Sequence, residues 1–149
     1  MQLKQSFEEA ICIVLLLAAE KQTDRRVNSA EIGAKLDTSQ SYVKKILGQL
    51  VHAEIISSGA GKHGGFYIKK KLDDLTLLDV YYAIEGRETM YRSKHIADRF
   101  LNDTHYIREK EQDIIEVFNE AEEAYRKKLS KYKLSNLVDD DVMKKVRQP

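Results

Sequence analysis

Two short apolar-periodic segments, NSAEIGAKL from Asn28 and SQSYVKKILGQL from Ser39, are separated by little more than Asp37 and Thr38. So tight a join leaves few ways to pack the pair. Asn28 stands three residues before Glu31, the spacing of a capping box, and starts a short helix with Ile32 and Leu36 turned inward. Asp37 tolerates the left-handed conformation better than most residues, and Thr38 or Ser39 can cap the next helix. Val43, Ile46, Leu47 and Leu50 then form one apolar stripe, while Ser41, Lys44, Lys45 and Gly48 lie opposite, with Ser39 and Gln40 at the entrance. The pattern predicts a helix-turn-helix.

The next segments, EIISS and GFYIKK, carry the β-branched and aromatic residues of short strands. Between them lies GAGKHGG, a loop that combines backbone freedom with Lys62 and His63. A hairpin directly after a helix-turn-helix makes a winged helix. Its glycine-rich tip can come close to a sugar-phosphate backbone, with Lys62 and His63 as donors. An amphipathic helix or a bare hairpin alone would need no such partner; their order is what points to one.

Around this centre the chain reads as helical. Leu3, Phe7, Ala10, Ile11, Val14, Leu15 and Ala18 predict a first helix that is apolar nearly all round and central to the core, with Cys12 on it as a small buried hydrophobe. EKQTDRRV is a polar connector. After the wing, TLLD offers a second capping box from Thr76 to Asp79, opening a helix that Gly86 can end. Tyr81 and Tyr82 on it read as core or interface residues. From about Tyr106 to Tyr132, Ile107, Ile114, Phe118, Ala121, Tyr125, Leu129 and Tyr132 recur at helical spacings with charges between them, so a long amphipathic helix is expected. A small winged helix cannot cover it, and a second copy of the chain is the expected partner. The final residues, with DDD at 139–141, read as frayed.

Charge and composition narrow the function. Net charge over the 149 residues is only +1, yet eleven Lys/Arg face seven Asp/Glu through Lys71, and the balance reverses beyond it. A basic stretch followed by an acidic one points to nucleic acid. The single cysteine excludes an intrachain disulfide and the cysteine pairs of zinc or iron–sulfur sites, and fits a reducing cytosol. ICIVLLLAA, nine residues long, is too short to cross a bilayer, and the acidic pair before it is unlike a signal peptide. His52, His63, His95 and His105 are scattered, without ligand spacing or an accompanying nucleophile, so no catalytic or metal site is expected.

The arrangement resembles the Rrf2 family of bacterial winged-helix transcription regulators. The resemblance spans nearly the whole chain: the apolar first helix, SQSYV opening the third, GKHGGF in the wing, LTLLDVYYAIEG after it, and a late long helix. It implies a homodimer that binds a palindromic operator in double-stranded DNA, usually to repress, with recognition helices in major grooves and wings in the minor groove. By position, Ser39, Gln40, Ser41, Tyr42, Lys44 and Lys45 would belong to the recognition helix, and Gly61, Lys62, His63, Gly64 and Gly65 to the wing. Two departures stand out. Cluster-binding members carry three close cysteines in the region that here runs from Gly86 to Tyr106 and has none, so the cluster-free branch and no cofactor are expected. The residue before the first wing glycine, often basic in the family, is Ala60, which shifts its role toward Lys62.

The expected fold is therefore mainly α with a small β-hairpin: a winged helix-turn-helix domain over 1–86, then a connector and C-terminal dimerisation helix with a frayed tail over 87–149. The expected function is a cytoplasmic, sequence-specific DNA-binding regulator. A winged helix that serves protein interaction without binding DNA is the competing reading, and an effector, small molecule or protein, stays open.

Overall fold

The computed structural model describes residues 2–148. The chain divides into two compact units: one runs to Gly86 and resumes at Ser130, the other is Arg87–Leu129.

The first unit is organised around helix α1, Gln5–Lys21. Ala10, Ile13, Val14, Leu17 and Ala19 on it are essentially inaccessible. Its first turn has no side-chain cap. Instead the Lys4 N–H donates to Glu85 Oε1 at 2.8 Å, and the Lys4 ammonium pairs with the same carboxylate at 3.3 Å. Cys12 departs from expectation: it is exposed, because it falls on the narrow strip of α1 that no neighbour covers. Partial desolvation, then the nearby Glu8 and Glu9 carboxylates, push its thiol above the ordinary value, a direction that disfavours the thiolate.

Helices α2, Ser29–Leu36, and α3, Gln40–His52, follow with the predicted turn between them. The Asn28 side chain accepts from the Glu31 N–H at 2.9 Å, and Ser39 accepts from the Tyr42 N–H at 3.4 Å. Asp37 adopts the left-handed conformation at φ 51°. Val43, Ile46, Leu47 and Leu50 are fully buried, as their spacing requires. Strands β1, Ile56–Gly59, and β2, Gly65–Ile68, pair antiparallel with Gly59 opposite Gly65. A third edge joins them: the Val27 N–H donates to Phe66 O at 3.0 Å and the Phe66 N–H to Val27 O at 2.8 Å. The polar connector thus ends as part of the wing.

Helix α4, Leu77–Glu85, begins with the full capping box of Thr76 and Asp79 and ends at Gly86, whose φ of 90° suits glycine. The chain returns to this unit after the long helix. The Leu77 N–H donates to Tyr132 O, the Leu134 N–H donates to Leu75 O, and Leu134 is fully buried. Helix α6, Asp140–Arg147, then packs on α1. The expected frayed tail is therefore corrected. Asp139 accepts from the Val142 N–H at 2.8 Å as a cap, while Met143 is buried and Val146 packs against the core. The run of aspartates marks a helix start, where anionic groups are favourable.

In the second unit, helix α5, Thr104–Ser130, buries only Ile107 and Glu122. Glu122 accepts from the Met90 N–H and from Arg126 at 2.9 Å, and Tyr91 stacks on Phe118 with centroids 4.8 Å apart. Glu111 pairs with His95 and Arg108, and Arg108 pairs in turn with Asp98; the His95 contact holds the Glu111 carboxyl below its usual range, with Ser93 and Arg108 adding to the effect. Ile114, Val117 and Phe118 stay exposed on one face of α5.

Candidate nucleic-acid interface

Both predicted groups of contact residues lie on the first unit, on α3 and on the wing. On α3, Ser39, Gln40, Ser41, Lys44 and Lys45 are exposed, whereas Tyr42 is half-buried and packs against the core. Three of these side chains already have work within the protein. Ser39 caps the helix and lies 3.4 Å from Ser41 Oγ, Gln40 donates to Ser29 Oγ at 3.0 Å, and Tyr42 braces the inner face. Lys44 and Lys45 have no carboxylate partner among the described residues. An extra Cβ at Gly48 would meet nothing within 4 Å, so the helix surface there is bare backbone open to solvent.

In the wing, Lys62 and His63 stand exposed at the tip. The glycines around them are demanded first by the turn itself. Gly61 and Gly65 have φ of 92° and 149°, and a Cβ on Gly64 would lie 2.6 Å from Gly59 O. The loop is consequently compact, closed by a Gly64 N–H to Gly61 O bond of 2.9 Å, with its two donors pushed outward.

The connector supplies residues that the sequence reading passed over. Arg25 and Arg26 are neighbours with different surroundings. Arg25 is held by Glu20 at 3.3 Å and by Glu31, its guanidinium pushed further above its already high value chiefly by the Glu31 hydrogen bond. Arg26 lies over the Tyr67 ring, 5.0 Å from its centroid, and reaches to Gly59. A shallow groove beside it is lined by Asp24, Arg25, Ala60, His63 and Gly64. The signal for Arg26 was present in Val27, a β-branched residue just before a helix cap, but its pairing with Phe66 is a tertiary fact.

A winged helix with these exposed cations already restricts the choice of family. The model of the Rrf2 family, described as iron-dependent transcriptional regulators, matches residues 3–140. This chain belongs to the Rrf2 family. It is a DNA-binding transcriptional regulator and not an enzyme. A relative from Lactococcus lactis named as the HTH-type transcriptional regulator YffB is 31% identical over 140 residues, covering 94% of this chain and 88% of its own. Among solved structures, a transcriptional regulator from Lactobacillus plantarum superposes with a TM-score of 0.71 at 21% identity, covering 91% of this chain and 88% of that one. CymR, the global cysteine regulator of B. subtilis, does so with a TM-score of 0.61 at 18% identity, covering 92% and 95%. At those identities the likeness shows the Rrf2 winged-helix fold.

The iron dependence in the family's description does not fit this member's donor set. Cys12 is its only cysteine, and among the described residues no three His, Cys, Asp or Glu side chains gather as a metal site. Nor is any helix among those residues long and apolar enough to cross a membrane.

Proposed function

We propose that the protein acts as a homodimer that binds a palindromic operator sequence-specifically and represses transcription from it. Four outward donors on one unit carry this reading: Lys44 and Lys45 on α3 and Lys62 and His63 on the wing, none with a carboxylate partner among the described residues. Exposed lysines with no carboxylate to neutralise them leave a positive potential on this unit, which suits a polyanion. Lys44 and Lys45 are placed for guanine edges or phosphates, and exposed Ser41 can donate or accept beside them. The bare backbone at Gly48 lets the duplex approach α3 closely. Gln40 is the weaker candidate, since it must release Ser29 to reach a base.

The test is duplex binding as a function of salt. Affinity falls steeply with added salt in the wild type, and Lys44→Ala or Lys62→Ala, which removes one cation from each subunit of the dimer, lowers the slope of log affinity against log salt by about 2. Selection from a random duplex library then enriches a palindrome. A protein that ignores duplex DNA at physiological salt is instead a winged helix used for protein interaction.

A further inference from the structure

We infer that Arg26, on the connector between α1 and α2, is a built-in phosphate clamp of the wing. The inference rests on the DNA-binding reading above and adds to it a contact outside the helix-turn-helix and the hairpin.

Four observations place it. Val27 is hydrogen-bonded on both its N–H and C=O to Phe66, so the backbone beside Arg26 is fixed to the hairpin as a third edge. The guanidinium is exposed yet ordered by the Tyr67 ring beneath it, a stacking that arginine makes well and lysine poorly. Among the described residues no carboxylate pairs with it, although Arg25 next door is occupied by two. Finally, space has been left for it at the cross-strand pair Gly59 and Gly65. A Cβ on Gly59 would stand 1.8 Å from Arg26 Nη1, and one on Gly65 would stand 3.2 Å from Arg26 Cβ.

The consequence is chemical. A planar fork of N–H donors is held against the wing, beside the groove that His63 and Gly64 also line. Of the other cations lining this groove and the adjoining one, Arg25 and Lys69 are already paired with carboxylates, and Lys21 stands with Asp24 among the lining residues, so Arg26 is the guanidinium left for a ligand. Ala60 leaves the hairpin without a cation of its own at that point, and Arg26 reaches the same place from the connector. A phosphate flanking the groove that the wing enters is the ligand that a preorganised, unpaired guanidinium fits. The groups that hold Arg26 in place, the face of the Tyr67 ring and the backbone at Gly59 and Val27, leave its N–H fork to a phosphate and add no base-reading contact of their own.

Full-length Arg26→Ala and Gly59→Ala proteins decide the matter. The second keeps the arginine but puts a methyl group where its guanidinium rests, and the displaced group is the free end of a flexible side chain, so the fold is preserved. Each variant is expected to lower the salt slope of duplex binding by about 2, one contact per subunit of a dimer, which is a loss of about thirtyfold at roughly 0.15 M salt. The loss is uniform across duplex sequences, and the double variant is no weaker than Arg26→Ala alone. A wild-type slope in Arg26→Ala, with wild-type protein binding normally, overturns the clamp and leaves the DNA-binding reading standing. A loss confined to particular base pairs also overturns it, because the contact would then read bases. Absence of salt-dependent binding in the wild type overturns both readings together.

Discussion

Gly33 and Gly48 look alike in the sequence, each a lone glycine within a helical pattern, and the structure gives them opposite roles. A Cβ on Gly33 would stand 2.8 Å from Thr38 O, a backbone atom held in the turn by the Thr38 N–H to Gly33 O bond of 2.9 Å. Gly33→Ala must therefore open the turn between α2 and α3, at a cost of about 1–3 kcal/mol. Gly48→Ala meets nothing and gains about 0.5–1 kcal/mol of helix propensity. Urea melts of the two variants should move in opposite directions, and equal shifts would refute this account of the turn. Periodicity identified which residues of α3 are buried, because that depends on spacing within one helix. It did not distinguish the two glycines, since the atom that Gly33 must avoid belongs to the turn beyond its own helix. Cys12 failed for a related reason: it lies one turn beyond exposed Glu8 on the strip that the neighbours leave open, but its residue type and the apolar run around it read as core.

At the level of elements, what was legible followed from local chemistry. Asn28, Ser39 and the Thr76–Asp79 pair start helices where their side chains can satisfy free N–H groups, and each does so in the structure. The hairpin was legible from its strand residues and glycines. The connector and the tail were not, because both are ordered by partners far along the chain: Val27 by Phe66, and α6 by α1. Within α6 only Met143 and Val146 turn inward, Val142 being exposed, and so short an apolar edge does not outweigh the charges around it in a sequence pattern. Yet the Lys35 ammonium reaches the carbonyls of Val146 and Gln148 at 3.5 and 3.4 Å, tying α2 to the same segment. Met143→Ala tests whether this tail stabilises its unit. We expect a loss of roughly 2 kcal/mol, the low end for a buried methionine because the site is at the edge of the core. A denaturation midpoint equal to the wild type would mean that α6 contributes nothing.

For the whole molecule, the question is what α5 packs against. Ile114, Val117 and Phe118 are 45%, 65% and 42% exposed, and they share a face at helical spacing. A helix of 27 residues with two buried positions is poorly covered by its own chain, and an apolar stripe of this kind calls for a partner. A second copy offers a self-complementary one, since a two-fold axis places the same stripe on both sides. Sedimentation should then give twice the chain mass of 17.2 kDa. Ile114→Asp with Val117→Asp places two carboxylates on that face while sparing Phe118, which Tyr91 needs for stacking. The double variant should sediment as a monomer with unchanged helical content. Its DNA binding carries a sharper consequence than loss of mass. Each half-site would be bound alone, so the salt slope should fall to about half of the wild-type value, because half the phosphate contacts are made in each event. A monomer that kept the full slope would mean that one winged helix makes every contact, and the two-fold operator would have to be abandoned.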